Sequence, residues 1–272
     1  MQPAPAQPES PTWLAVVADW PVHSARRSFD NFSRHVYGQV RDLPELTRLS
    51  EALLLHAEHT RVEPKGFLHY AAADPATLSR ELPEAWKTFR PSLVASGLDH
   101  LEIWAGGLAD ARLWESLGFV IHETMATYCL EHLEAHPEDS RIRPYAPGDF
   151  DSIFRIHRLT SAENWWLSET AYRDWLARVE TRVLEIDGAI AGFTHLRLQQ
   201  PSGLFDGLAI DPTYQRRGLA TVLVRDALNE AHRRNVSRID LFVLTDNEAA
   251  IRLYEQFGFH RTGEQVRLQL HL

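Results

Sequence analysis

The spacing of apolar residues changes period repeatedly along this chain, and each change predicts an element. Arg141 to Tyr145 alternates and predicts a short strand. Pro147-Gly148-Asp149 predicts a turn, with Asp149 as the N-cap of a helix through Leu159. From Ser168 to Val179, Ala171, Trp175, Leu176 and Val179 share one face, which predicts a second helix. Thr181 to Ile186 and Ala189 to Leu198 read as strands around Asp187-Gly188, the strongest short hairpin signal. Gly203 to Ile210 predicts the next strand. Leu219, Val222, Leu223 and Ala227 form the apolar face of a third helix that runs to His232. Ile239 to Leu244, Asn247 to Gln256 and Gln265 to Leu270 then predict strand, helix and strand. The order is β-α-α-β-β-β-α-β-α-β.

The chain also resembles itself at a spacing of 140 residues. Residues 101–119 align without a gap on 241–259, with seven of 19 positions identical. Arg112-Leu113-Trp114-Glu115-Ser116-Leu117-Gly118-Phe119 lies on Arg252-Leu253-Tyr254-Glu255-Gln256-Phe257-Gly258-Phe259. Each copy reads strand, turn, helix, then Gly-Phe, with Gly118 and Gly258 at the position just past a helix end. This predicts two copies of one fold, joined near His136-Pro137-Glu138-Asp139-Ser140. The expected division is a disordered tail at 1–11, a first domain at 12–139 and a second at 140–272.

Composition narrows the function classes. The 272 residues carry a net charge of −9. Residues 1–140 hold 11 Lys and Arg against 20 Asp and Glu, and residues 141–272 hold 17 against 17. An acidic chain of this kind is a poor nucleic-acid binder, because phosphate contacts need a basic face. The acidic half could attract a cationic substrate, although a solubilising surface is the plainer reading. No apolar run is long enough to span a membrane. The start, Met1 to Pro11, has neither the basic residues nor the apolar block of a signal peptide. Cys129 is the only cysteine, in an apolar run, so a buried thiol and a reducing cytoplasm are expected. No metal-ligand spacing, nucleophile turn or Cys/His pairing is present.

The densest chemistry lies in Asp211-Pro212-Thr213-Tyr214-Gln215-Arg216-Arg217-Gly218-Leu219-Ala220, between an expected strand and an expected helix. The free N–H groups and dipole of a helix's first turn attract anions. Gly218 lets a phosphate approach the backbone, and Arg216 and Arg217 add charge. The stretch reads as a pyrophosphate seat; the plain alternative is a solvated helix start. The first copy lacks it, because Leu78 or Glu81 falls opposite Gly218, depending on the alignment, and Pro83 falls near Ala220.

These motifs resemble those of the GNAT superfamily of acyl-CoA-dependent N-acyltransferases. Gln215, Gly218 and Ala220 fit its Gln/Arg-x-x-Gly-x-Gly/Ala loop. Asn247, Tyr254, Gly258 and Phe259 fit its second motif. The match covers roughly 141–272 and is weaker in the first half, where it rests on 101–119. The resemblance implies an α/β (α+β) protein of two tandem GNAT-like domains. Each would be a mixed, mostly antiparallel sheet flanked by helices, the first degenerate as in mycothiol synthase-like proteins.

The resemblance also implies site roles. Acetyl-CoA would be the co-substrate, with no metal. Backbone groups of Arg216, Arg217, Gly218, Leu219, Ala220 and Thr221 would hold its pyrophosphate. A splayed strand would offer Leu208, Ala209 and Ile210 to the pantetheine arm, with Gly207 as the point of distortion. Asn247 would contact CoA or cap its helix. Tyr254 would stand near the sulfur as an acid; otherwise it is a packed aromatic with Leu253 and Phe257. An acceptor amine of pKa ~10 is only about a thousandth neutral at pH 7, so a base is needed. Asp206 is the nearest carboxylate. Glu163 is the second candidate, beside Trp165-Trp166, which could line an acceptor pocket or simply pack. His195 is a remoter third, since a lone strand histidine is usually structural.

The expected function is N-acetyl transfer to a primary amine of a small molecule or peptide, by direct attack in a ternary complex. The protein would be a cytoplasmic monomer or homodimer. The rival reading is a non-catalytic acyl-CoA-binding sensor.

Overall fold

The structure is a computed structural model and describes residues 47–49, 53–59, 64–72, 75–161 and 167–272. The expected tail at 1–11, Glu163 and the Trp165-Trp166 pair lie outside the described residues. In chain order the first strands are β1 (Thr47–Leu49), β2 (Leu53–His59) and β3 (Lys65–Ala72). Helix α1 (Pro75–Ala95), β4 (His100–Ala105), α2 (Leu108–Glu115) and β5 (Val120–Leu130) follow. Next come β6 (Ile142–Pro144), α3 (Phe150–Thr160), α4 (Glu169–Leu176), β7 (Glu180–Ile186), β8 (Ala189–Gln199) and β9 (Ser202–Ile210). The chain closes with α5 (Leu219–Arg233), β10 (Arg238–Leu244), α6 (Glu248–Gln256) and β11 (His260–His271).

Contacts divide the chain into two units. The first takes Met1–Met125 together with Gly263–Leu272, and the second takes Ala126–Thr262. The last ten residues of the chain are thus counted with the first unit rather than with the copy they end.

In the first unit β2 pairs antiparallel with β1 and β3, and β3 pairs parallel with β4. The part of β11 that belongs here runs antiparallel to β4, with Leu268 opposite Ile103. Alternation sends Leu53, Leu55, Leu68, Tyr70, Leu101, Ile103, Val266 and Leu268 to one face. There they pack against Leu78, Leu82, Trp86, Phe89 and Leu93 of α1. Glu102 and Arg267 alternate away from that core. They are buried together, with two guanidinium bonds of 2.6 and 3.1 Å and Lys65 also on the carboxylate.

In the second unit β9 pairs parallel with β10, while β6, β7, β8 and β9 pair antiparallel in sequence. Helices α5 and α6 cover one face, where Val224, Leu228 and Tyr254 meet Phe205, Leu241 and Val243. Helices α3 and α4 cover the other, where Ile153, Ile156, Tyr172 and Leu176 meet Val183 and Phe193. Each unit is a mixed, mostly antiparallel sheet with helices. The repeat is visible as two right-matching crossovers: β3–α1–β4 and β9–α5–β10 each close on four parallel residue pairs. Gly118 and Gly258 both take positive φ, 97° and 85°, past α2 and α6.

The hairpin expected at Asp187-Gly188 forms with positive φ at both residues, 51° and 78°. Two local expectations fail. Asp149 does not cap α3: it lies at the end of a 3₁₀ turn, Pro147–Asp149, with helical φ and ψ. Its carboxylate instead accepts two bonds from Arg143 and one from the N–H of Ala146. Helix α4 stops at Leu176, short of Val179, and buries Tyr172 in addition to Leu176.

Candidate active site

The register of β8 on β9 carries a defect. Thr194 faces Leu208 and His195 faces Gly207, but the next pair is Leu196 with Phe205. Asp206 is the extra residue of a bulge. A Cβ at Gly207 would lie 3.3 Å from Cδ2 of His195. On its other edge, β9 pairs with β10 only as far as Phe205 opposite Leu241. Both strands continue beyond that pair, to Ile210 and Leu244. Leu208, Ala209 and Ile210 therefore hold to β8 on one side and, among the described residues, have no strand partner on the β10 side. One group there is already used: the Ile210 carbonyl accepts from Gln215 Nε2 at 3.1 Å.

The loop after β9 is built by Asp211. Its carboxylate accepts from the Thr213 N–H and hydroxyl, at 2.8 and 2.7 Å, and from Arg155 at 2.5 Å. Burial alone would raise its pKa, but the Thr213 and Arg155 bonds outweigh this and lower it. Arg216 takes φ 62° and Gly218 takes φ 73°, ψ 6°, just before α5 begins at Leu219. Gly218 caps the helix without a side-chain bond. The first-turn N–H groups of Leu219, Ala220 and Thr221 thus have no partner within the helix. A Cβ at Gly218 would meet no atom within 4 Å. Glycine is required here by its left-handed backbone and not by crowding from the protein. The two arginines differ. Arg217 donates to the Thr213 carbonyl at 3.1 Å and lies over the Tyr214 ring. Arg216 makes no ion pair or hydrogen bond among the described residues. The open cradle, the uncapped helix start and this unengaged guanidinium fit a diphosphate.

Tyr254 projects from α6 with its ring 5.8 Å from the centroids of Phe205 and Phe259, in a cluster against which Leu253 and Phe257 also pack. Burial pushes its phenol pKa well above the ordinary value, so the hydroxyl keeps its proton. Asn247 caps α6 by accepting from the Ala250 N–H. Asp206 forms a two-atom pair with Arg197, at 2.9 and 2.8 Å. His195 is buried, with Nδ1 on the Thr181 hydroxyl at 2.8 Å and Nε2 on the Tyr172 hydroxyl at 3.1 Å. Burial, aided by the charge of His157, lowers its pKa to about 3. A neutral, doubly bonded imidazole of this kind is a poor base. Arg197 and the bond of Gln215 to Ile210 were not legible as site features. The first needs the bulge to aim Asp206 at it, and the second needs the loop to fold back.

The first unit fills the corresponding region. Trp114, the counterpart of Tyr254, is fully buried and packs on Tyr70, Trp86 and Phe119. Helix α1 starts at Pro75, and the sequence just before it, Ala71-Ala72-Ala73-Asp74, holds no glycine or arginine.

Among the described residues of the second unit, two open cavities border the site. One of about 690 Å³ is lined by Tyr145, Thr181, Glu180, Glu230, Arg234 and the same Arg197 that holds Asp206. One of about 590 Å³ is lined by Arg143, Asp149, Arg155 and Asp211, next to Tyr214. Among the described residues, no group of three His, Cys, Asp or Glu could hold a metal, and no helix is long and apolar enough to cross a membrane.

Comparison with known proteins finds relatives for this sequence and fold. Residues 141–259 match the model of the acetyltransferase (GNAT) family. The [ribosomal protein bS18]-alanine N-acetyltransferase of Escherichia coli strain K12 is 35% identical over 74 residues, 27% of this chain and 50% of that protein. The mycothiol acetyltransferase of Acidothermus cellulolyticus is 25% identical over 259 residues, 79% of this chain and 78% of that protein. The chain spans about half the length of the first of these relatives. A solved tandem GNAT protein from the clavulanic acid biosynthesis pathway has a TM-score of 0.66 at 14% identity, covering 95% of this chain and 93% of that one. At that identity the likeness speaks for the fold alone. The likeness to the GNAT family of acetyltransferases is thus carried by residues 141–259, the second copy.

Proposed function

We propose that the second unit transfers an acetyl group from acetyl-CoA to a primary amine, by direct attack in a ternary complex. The observation that carries this reading is the pairing of two defects on one strand: the Asp206 bulge on the β8 edge and the loss of β10 pairing after Phe205. Together they leave a strip of main chain at Leu208, Ala209 and Ile210 that leads to the open helix start at Gly218. A pantetheine arm can pair along such a strip, and a diphosphate can sit on such a helix start.

Each residue then has a proton or a charge to manage. The N–H groups beside the bulge face the carbonyl oxygen as it gains negative charge, which is typically worth a few kcal/mol. Asp206 takes the proton of the ammonium, directly or through water, and the neutral nitrogen attacks the thioester carbon. The C–S bond breaks, Tyr254 gives its proton to the leaving sulfur, and the second proton lost by the nitrogen passes through water to restore the Tyr254 phenol. Arg197 holds the Asp206 carboxylate in place. The acceptor approaches on the side of the cavity that Arg197 lines. Unit 1, with its aromatic fill, is the degenerate copy and does not bind CoA.

The ion pair of Asp206 with Arg197 favours a second reading, an acyl-CoA-binding sensor without turnover. One experiment separates the two. The protein is incubated with acetyl-CoA and a panel of amines, and thiol release is followed beside a thermal-shift titration. The names of the relatives put peptides with N-terminal alanine and mycothiol-type amines in the panel. Turnover that Asp206→Asn abolishes supports catalysis. A shift without turnover supports the sensor. Ligand at 100 times its dissociation constant adds about 2.7 kcal/mol, so no shift at that level sinks both.

A further inference from the structure

We propose that His195 is a positioning residue that fixes where β9 bulges, and so aims Asp206 and the Leu208 main chain. Its kinetic consequence rests on the acetyl-transfer reading; its structural half does not.

The ring is held at both nitrogens, by Thr181 at 2.8 Å and Tyr172 at 3.1 Å. Phe193 and Trp175 pack against it with centroids 4.5 Å away. A hydrocarbon side chain would fill this site without needing partners, whereas buried polar atoms are costly unless bonded. What the imidazole adds is a fixed ring plane. That plane meets Gly207: its Cδ2 lies 3.3 Å from the place a Cβ would occupy. A side chain opposite His195 would crowd the ring, which would have to give by a few tenths of an ångström. With Gly207 pinned there, Asp206 is left over between the His195 and Leu196 pairs and turns to Arg197. Leu208 returns to register opposite Thr194. Close contacts at Gly192 and Gly203 hold the β8–β9 register on either side, so the ring selects only which residue between them bulges. A shift of the bulge by one residue would turn the Asp206 side chain to the opposite face. The carboxylate would leave Arg197, and the N–H of Leu208 would turn away from the reacting carbonyl.

The test is a double-mutant cycle of His195→Ala and Gly207→Ala, with His195→Gln as the conservative variant. Three readouts are taken: amide hydrogen exchange at 206–210 without ligand, thermal melting, and kcat and KM. His195→Ala should speed exchange at 207–209 and lower kcat about tenfold or more, with KM for acetyl-CoA little changed, because misplacing reacting groups by about 1 Å costs on that scale. His195→Gln should recover part of both. Gly207→Ala should cost less in the His195→Ala background than alone, with a coupling of about fivefold or more. Additive effects overturn the inference, as does a lower melting temperature with exchange and kcat unaltered. If the wild-type protein acetylates nothing, the functional reading falls, and the exchange cycle alone still decides the role of His195.

Discussion

Gln215 donates its side-chain amide to the carbonyl oxygen of Ile210, 3.1 Å away. The bond ties the residue before the paired arginines to the last residue of β9 and closes the loop between them. Gln215 thereby acts on a ligand through the loop it shapes. A net hydrogen bond contributes about 1 kcal/mol, so Gln215→Ala should weaken acetyl-CoA binding roughly fivefold. Isothermal titration calorimetry checks this, and an unchanged affinity would show that the loop holds its shape without the bond.

Gly218 offers a different kind of test. Its φ of 73° is strained for any residue with a Cβ, by roughly 1–2 kcal/mol. The space before it is open, so the protein itself does not resist the added methyl. Gly218→Ala should therefore lower stability by about 1 kcal/mol and acetyl-CoA affinity by more than that strain alone explains. Urea unfolding and calorimetry on the same variant compare the two. Equal losses would mean that no ligand comes close to this backbone.

Tyr254→Phe should lower kcat by about tenfold to a hundredfold while KM for acetyl-CoA stays the same, since it removes a proton donor and leaves the ring. Burial keeps the phenol protonated well above its ordinary pKa. The basic limb of the pH–rate profile should then keep its position in the variant. A limb that vanishes with the hydroxyl would assign that titration to Tyr254 and contradict the burial argument.

Much of the second unit was legible because its signals are local. Asp187-Gly188 sets both positive φ values of the hairpin, and the apolar spacing from Leu219 to Ala227 sets the buried face of α5. Gly218 was readable as a loop residue, but its left-handed backbone was not. The features that were not legible depend on partners distant in sequence. Asp149 looked like a cap until Arg143 supplied two donors. The bulge depends on one ring meeting one glycine across two strands. The grouping of Gly263–Leu272 with the first unit depends on which strand pairs with β4, and periodicity carries no information about pairing partners.

His195 should also make the second unit sensitive to acid. Its pKa is lowered to about 3 in the fold, by burial first and by His157 second. The unfolded value is about 6.5. Between those values the unfolded chain binds one proton more. Stability from this group is thus fully present above about pH 6.5 and is lost as pH falls, by up to about 1.4 kcal/mol per unit. Urea unfolding at pH 7.5 and 5.5 should show a drop that is about 1 kcal/mol smaller in His195→Gln. An equal drop in both proteins would mean that the imidazole is not held neutral.

The last strand yields the sharpest stability test. Leu268 is fully buried in the first unit's core and faces Ile103 of β4. Leu268→Ala leaves a cavity among Leu101, Ile103 and the α1 side chains, and should cost about 2–5 kcal/mol. A chain ending at Thr262 loses Val266, Leu268 and Leu270 at once and bares the edge of β4 to solvent. Limited proteolysis should then cut within 75–125 faster than in the full chain. If the shortened chain protects that region as well as the complete one, the described residues of the first unit hold their own core, and the C-terminal strand is dispensable for it.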